Sequence, residues 1–255
     1  MSRTAPEAVD AVVLRWVAFG ETSQIVHLAT AERGRVAALA KGSLRPGSAC
    51  QGGLSTGVRG AAVLRKRRGD LDLLTSFRLE HVHDGLAQDL DRWHAALYVL
   101  ELLRAWMHPD LPAPELYAAG TTALALLDRA PADQLAGWVV WFEARALAAS
   151  GHRPVIDACA ACGTHDGSAL WFHPGAGGLV HGACRPPGEA RRLAPDDHDV
   201  LARLYTARLG DLAREPLSDR AVAAARGMHD LFVPWVLERR PRLLASVPRP
   251  GVTVR

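Results

Sequence analysis

Apolar and polar residues alternate with a period of two through much of residues 9–80, the spacing of strands that bury one face. Val9 to Val17 is apolar and rich in β-branched residues, 24–30 and 34–40 alternate, and 61–66 and 71–77 add two further runs. Turn signals separate them at Phe19-Gly20-Glu21, Glu32-Arg33-Gly34 and Arg68-Gly69-Asp70. Five short strands in so short a stretch predict a small closed barrel, of which the OB-fold is the five-stranded example. The Gly-rich stretch from Gly47 to Gly60 predicts a long loop.

From residue 81 the period lengthens. Leu86, Leu90, Trp93, Leu97 and Leu100 step at helical spacing and predict a first helix with these residues as its buried stripe. A second helix is expected over Pro114 to Ala130, and a third from Asp133 to Ser150 with Gly151 as its C-terminal cap. Residues 155–190 break into Cys, Gly, Pro and His. Helical patterning resumes at Pro195-Asp196-Asp197 and continues over Ser218 to Arg240, with Pro234 kinking or ending a turn. The expected class is therefore α+β: a barrel over 1–80, then a mainly helical domain over 81–255 carrying an inserted zinc-ribbon-like module at about 155–190.

Length and composition narrow the picture. A chain of 255 residues fits one or two domains and buries a sizeable core without disulfides. Four Cys argue against a disulfide-stapled secreted scaffold. The longest apolar uncharged run, Leu116 to Leu127, falls short of the roughly 20 residues a membrane span needs. The first residues show no signal-peptide pattern, so a cytoplasmic protein is expected. Charge is unevenly spread: residues 1–80 hold 12 Lys and Arg against 7 Asp and Glu, whereas 81–255 hold 18 against 20. A polyanion is the natural partner of the basic N-terminal third.

The sharpest chemical signal is Cys159-Ala-Ala-Cys162 followed by His181-Gly-Ala-Cys184. Zinc takes four soft or borderline donors in a tetrahedron, and two short-spaced pairs on separate turns supply them. Leu170-Trp-Phe-His173 and Leu179-Val-His181 flank Pro174 to Gly178 and read as a hairpin that brings the second pair beside the first. His165 and His173 compete with His181 as the fourth ligand, and a redox CxxC or two buried thiols are the other readings of the cysteines. With four protein donors the site is structural rather than catalytic. Cys50, in the Gly-rich loop, is left as an incidental thiol. A zinc deaminase is set aside, because no His-x-Glu occurs.

Candidate DNA-binding residues are Arg15, Arg33, Arg35, Lys41, Arg45, Arg65, Lys66, Arg67 and Arg68, all within the barrel segment. Single-strand binders combine such cations with aromatic platforms, and Trp16, Phe19 and Phe77 are the aromatics this segment offers. Trp93, Trp138 and Trp141 lie in apolar helices and read as core. The other reading of the cations is a solvated basic face on a zinc-ribbon scaffold that binds only proteins. No P-loop, dinucleotide loop or nucleophile elbow is present, and no catalytic constellation emerges.

In order and spacing these pieces resemble the bacterial RecO family of recombination mediators over roughly residues 8–245. The resemblance is carried by Ala11-Val-Val-Leu-Arg15, Gly20 to Thr30, Gly34 to Gly42 with its closing Lys-Gly, the helical piece Asp89 to Trp106, and Phe142 to Pro154 leading into Cys159-Ala-Ala-Cys162-Gly163. It implies an N-terminal OB-fold, a central helical bundle and a zinc-binding module. It also implies a non-enzyme that binds single- and double-stranded DNA, anneals complementary strands, and works with RecR to load RecA onto strands coated by single-strand-binding protein. Zinc-binding members usually present four Cys, and here His181 stands in the third slot. A basic, apolar-lined pocket for the acidic tail of single-strand-binding protein is expected on the helical domain, with Arg104, Arg145, Arg203 and Arg226 as candidates.

Overall fold

The period-two segments form five strands: β1 (Glu7–Phe19), β2 (Ser23–Thr30), β3 (Gly34–Ala40), β4 (Arg59–Arg65) and β5 (Asp72–His81). A computed structural model describes residues 6–50, 54–67, 69–164, 170–194 and 196–250. The strands close into a barrel in the order β1-β2-β3-β5-β4, with β4 returning to β1. The β3–β5 pair is parallel and the other barrel pairs among the described residues are antiparallel. This is the OB-fold expected from the strand pattern. Burial follows the alternation most cleanly in β3 and β4, where every second residue is buried.

Val13, Val26, Leu28, Leu64 and Phe77 fill the barrel. The loop before β4 contributes as well: Cys50, Leu54 and Val58 sit in the same core. Cys50 is thus an interior residue whose thiol burial pushes up in pKa, not a surface loop thiol. Phe77 is fully buried and leaves Trp16 and Phe19 as the exposed aromatics of this segment.

Among the described residues six α-helices follow: α1 (Leu90–Trp106), α2 (Pro114–Arg129), α3 (Leu135–Ala149), α4 (Asp197–Thr206), α5 (Leu209–Arg214) and α6 (Asp219–Val236). The chain forms two compact units. One holds the residues up to Asp89 together with Val99–Asp128; the other holds Leu90–Tyr98 and the residues from Arg129 onward. No helix is long and apolar enough to cross a membrane among the described residues.

The predicted stripe of α1 is its buried face only in part. Leu86 is buried but lies in a separate 3₁₀ turn, Asp84–Ala87, and Leu90 is 64% exposed. The spacing ran across a helix start, and α1 is apolar on most sides, so Ala95, Ala96, Tyr98, Val99, Leu102 and Leu103 are buried along with Leu100 of the stripe. The α3 prediction holds, including its end. Gly151 adopts φ +79°, its N–H reaches Ala148 O at 3.1 Å, and the His152 N–H reaches Leu147 O at 2.7 Å. That pair is a Schellman ending, which wants a residue free to take positive φ. Ser218 caps α6 by accepting from the Ala221 N–H at 3.3 Å, and the helix ends two residues beyond Pro234 rather than at Arg240. Pro195, proposed to open α4, lies outside the described residues; α5 had no clear signal in the pattern.

In the second unit, α3 is buried along most of its length, and Trp138 and Trp141 pack edge-to-face with ring centroids 6.4 Å apart. Its one buried charge, Glu143, is fully enclosed. Tyr98 from α1 donates to Glu143 Oε1 at 2.6 Å, Arg226 from α6 pairs with the same oxygen, and His229 Nδ1 lies 2.8 Å from Oε2. The Tyr205 hydroxyl of α4 meets His229 Nε2 at 2.7 Å. Burial alone would raise the Glu143 carboxyl; the Arg226 charge and the His229 and Tyr98 hydrogen bonds outweigh it and hold it at about 2.

This network has a measurable consequence. A carboxylate depressed from an ordinary value near 4.5 contributes stability that is present above that pH and is lost as pH falls through about 2. Its size is about 3 kcal/mol. Glu143→Gln should lower stability by about 3–5 kcal/mol at pH 7, because Arg226 loses its buried counter-charge and keeps only the partly exposed Asp230, 3.0 Å from its Nε. Denaturant melts followed by tryptophan fluorescence at pH 7 and pH 3 check this: the gap between wild type and variant should narrow at the lower pH.

Candidate nucleic-acid interface and metal centre

The barrel unit carries its cations in two states. Arg33, at the β2–β3 turn, is committed to carboxylates: Nη1 lies 2.8 Å from Asp72 Oδ2 and Nε 3.0 Å from Asp110 Oδ1. Lys66 Nζ reaches Asp110 Oδ2 at 2.8 Å. These residues, with Arg35, His27 and Asp70, border a cleft of about 320 Å³ whose charges are already largely balanced. Arg65 is half-buried at the end of β4, and Arg67 is exposed, its backbone N–H donating to Asp72 Oδ1 at 3.3 Å. Arg68 lies outside the described residues.

Arg15, Lys41 and Arg45 are different. All three are exposed, and none forms an ion pair among the described residues. Residues 15–19 of β1 are exposed where residues 11–14 are buried; this half of the strand pairs with β2 but no longer with β4. Trp16 and Phe19 stand on that half at 45% and 52% exposure. The loop carrying Lys41 and Arg45 is tied to the same end, with the Leu44 N–H on Thr22 O at 3.0 Å and the Gly42 N–H on Ser23 Oγ at 3.0 Å. Two aromatic faces and unpaired cations therefore share the β1–β2 end of the barrel.

His27 reports the local potential. It pairs across the strands with Arg15. Burial lowers its pKa, and the charges of Arg15, Arg35 and Arg104 lower it further. Arg35 donates from Nη1 to the Arg104 carbonyl at 3.2 Å. His27 was missed as a member of this group, because a lone His in a strand carries no signal until its cross-strand neighbours are known.

In the second unit, Cys159, Cys162, His181 and Cys184 come together, with their donor atoms all within 4.8 Å of one another. The first pair sits on a tight turn: the Gly163 N–H returns to Cys159 O at 2.8 Å, and Gly163 takes φ +76°, a conformation that favours glycine. The second pair is placed by a hairpin, β6 (Leu170–His173) and β7 (Gly178–His181), with a 3₁₀ turn at Pro174–Ala176 between them. A two-residue strand, β8 (Arg191–Arg192), adds to β6 and was not foreseen, being too short to show a period. Phe172 on β6 packs edge-to-face on Phe232 of α6 at 5.3 Å.

The donor set suits a metal ion of zinc's kind. Three sulfurs and an imidazole are soft to borderline donors, and tetrahedral zinc–sulfur bonds put sulfurs about 3.8 Å apart. Burial pushes the Cys159 thiol up, but the N–H groups of Cys162, His181 and Ala161 outweigh it and hold it at about 6. Cys162 alongside pushes Cys184 up to about 11. The cluster thus has one place prepared for negative charge and resists more without a cation. His181 Nδ1 faces Cys162 Sγ at 3.5 Å. His173 is engaged elsewhere: its Nδ1 accepts from the Ala176 N–H at 3.1 Å and its Nε2 lies 3.3 Å from Pro187 O. His165 lies outside the described residues.

The four arginines considered for an acidic tail are placed otherwise than a single pocket requires. Arg226 is buried on Glu143. Arg145 donates to the Leu204, Tyr205 and Ala207 carbonyls, closing the end of α4. Arg203 pairs with Glu215 at 2.9 Å. Arg104 belongs to the barrel unit.

Comparison with known proteins agrees with these features. Residues 4–82 match the family model "Recombination protein O N terminal" and residues 87–245 match "Recombination protein O C terminal". Among curated relatives, a DNA repair protein RecO of Nocardioides sp. strain JS614 is 33% identical over 248 residues, covering 94% of this chain and 98% of the relative. One from Anaeromyxobacter dehalogenans strain 2CP-C is 37% identical over 233 residues, covering 90% and 91%. One from Rhodopirellula baltica is 36% identical over 210 residues, covering 81% and 74%. With both halves matched in order and relatives of this identity spanning nearly the whole chain, the protein belongs to the RecO family of DNA repair and recombination proteins.

Proposed function

We propose that this protein is a DNA-binding recombination mediator without a catalytic step, working at the nucleoid in the cytoplasm. It holds single- and double-stranded DNA on the barrel, anneals complementary strands, and acts with RecR to load RecA onto strands coated by single-strand-binding protein, whose acidic tail it engages. The observation that carries this reading is the β1–β2 end of the barrel, where Trp16 and Phe19 stand exposed beside unpaired Arg15, Lys41 and Arg45. Exposed rings stack on bases of any identity, and unpaired cations replace the counterions of the phosphates. Annealing asks for little more: cations that offset the repulsion of two backbones, with base pairing supplying the rest.

Zn²⁺ is the metal we assign to Cys159, Cys162, His181 and Cys184. When bound there, it supplies no reaction chemistry but crosslinks the turn and the hairpin. Arg33 and Lys66, already held by Asp110, act in shaping the barrel surface more than in binding phosphate.

Fluorescence anisotropy with labelled single-stranded and duplex oligonucleotides, at two salt concentrations, tests the DNA reading. Lys41→Glu with Arg45→Glu should weaken binding at least about tenfold and flatten the salt dependence by about 1.4 log units per log unit of salt for single strands. Lys66→Ala should change it far less. A wild-type protein that binds neither oligonucleotide at low salt would move the function to a zinc-ribbon adaptor that binds only proteins.

For the metal, Cys159→Ser with Cys162→Ser should bring zinc content, measured by mass spectrometry of the purified chain, close to zero. Residues 155–190 should then become sensitive to limited proteolysis. Stoichiometric zinc in that variant would refute the ligand set.

A further inference from the structure

We infer that the outer face of the knuckle sheet is a second phosphate-binding surface, built from Arg185 and Arg192 on a Trp171 pedestal and directed at a nucleic-acid backbone. This inference rests on the DNA-binding reading above and extends it to a part of the chain outside the barrel unit. Residues 81–255 carry more acidic than basic groups, yet 170–194 hold three Arg against the single Glu189. These 25 residues form a small basic island.

The placement of these arginines is what makes the island a site. Trp171 on β6 and Arg192 on β8 are direct cross-strand partners, so their side chains leave the sheet on the same face. Arg185, one residue past Cys184, lies over the Trp171 ring with its guanidinium carbon 4.4 Å from the centroid. Arg185 is thus stacked on the indole, and Arg192 leaves the same face of the sheet from the strand beside it. Both arginines are exposed, and among the described residues neither makes an ion pair or a side-chain hydrogen bond. Arg191, the neighbour, leaves on the opposite face and lies against Gly227 of α6, where a Cβ would come within 2.0 Å of its guanidinium carbon. Adjacent arginines of one two-residue strand are thus divided between a packing role and an outward one.

The chemistry favours a phosphate backbone over an acidic peptide. A guanidinium lying on an indole is held in place at little further entropic expense, with its N–H edge turned outward in the fork that matches a phosphate bidentately. Two such forks on one sheet face suit successive phosphates. With the barrel cations in one unit and this pair in the other, a single chain would carry two backbone contacts, which is what bringing complementary strands together demands.

The test uses the full chain with a fluorescein-labelled oligo-dT, read by anisotropy across a salt series. It compares wild type with Arg185→Ala, Arg192→Ala, the double variant and Trp171→Ala, with zinc content measured for each. The double variant should bind about tenfold more weakly, and its salt dependence should be shallower by about 1.4, the loss of two phosphates on a single strand. Trp171→Ala should weaken binding about as much as Arg185→Ala, and combining the two should add little. Should Arg185→Ala lose zinc, Arg192→Ala, on a strand outside the ligand set, decides alone. Wild-type affinity and salt slope in the double variant would overturn the inference while leaving the barrel reading intact. Absence of DNA binding by wild type would overturn both.

Discussion

The carboxylate of Glu143 is the constraint on which the second unit turns. A charge with no exposure is tolerated only if every lone pair is met, and removing one partner costs several kcal/mol. Its partners come from α1 and α6, and His229 passes the network on to Tyr205 of α4. Arg226 and His229 are one helical turn apart on α6, so satisfying both oxygens of one carboxylate fixes that helix in rotation as well as in position. The same helix presents Phe232 to Phe172 and Gly227 to Arg191. The orientation of the knuckle sheet, and with it the place of His181 and Cys184, follows from how α6 is held.

This dependence explains which features were legible in the chain before its structure was known. Local rules worked where one element decides its own conformation. The strands declared themselves by alternation, α3 by its Gly151 ending, and the cluster of three Cys and one His by two pairs on short turns. Features that depend on distant partners were invisible. The apolar spacing from Leu86 to Leu100 looked like a helix face, but a helix that is apolar on most sides has no face of its own, and its neighbours choose which side is covered. Glu143 carries no signal of burial in the sequence, because its partners lie 45 to 86 positions away.

Charge counting met the same limit. The barrel segment reads as uniformly basic, yet Asp110, 77 residues from Arg33 and 44 from Lys66, draws on both. A cation bound to a carboxylate offers little to a phosphate, since the new contact must replace one already made. What distinguishes Arg15, Lys41 and Arg45 is not their number or sequence spacing but the absence of a competing acid among the described residues. The exposed aromatics follow similar logic. Phe77, Trp16 and Phe19 were equivalent on paper; Phe77 lies inside the barrel because β5 is paired on both sides, whereas residues 15–19 of β1 pair with β2 alone.

The metal centre shows how a small module can be rigid without a core of its own. The β6–β8 sheet has strands of four, four and two residues, too little apolar area to hold its shape unaided. It leans on α6 through Phe172 on one face, and on the ligand cluster at the ends of β7 and of the Cys159 turn. Cys159 is drawn toward thiolate by N–H groups that the turn itself orients, so the fold favours the charged ligand before any cation arrives. A cation held there would link residues 159 and 184, and the segment that follows, with Arg185 and Arg192, starts from that cluster and lies on Trp171 through Arg185. A sheet too small to be stable by burial becomes a firm mount for exposed arginines because its two ends are tied, one by an aromatic contact and one by sulfur and nitrogen donors.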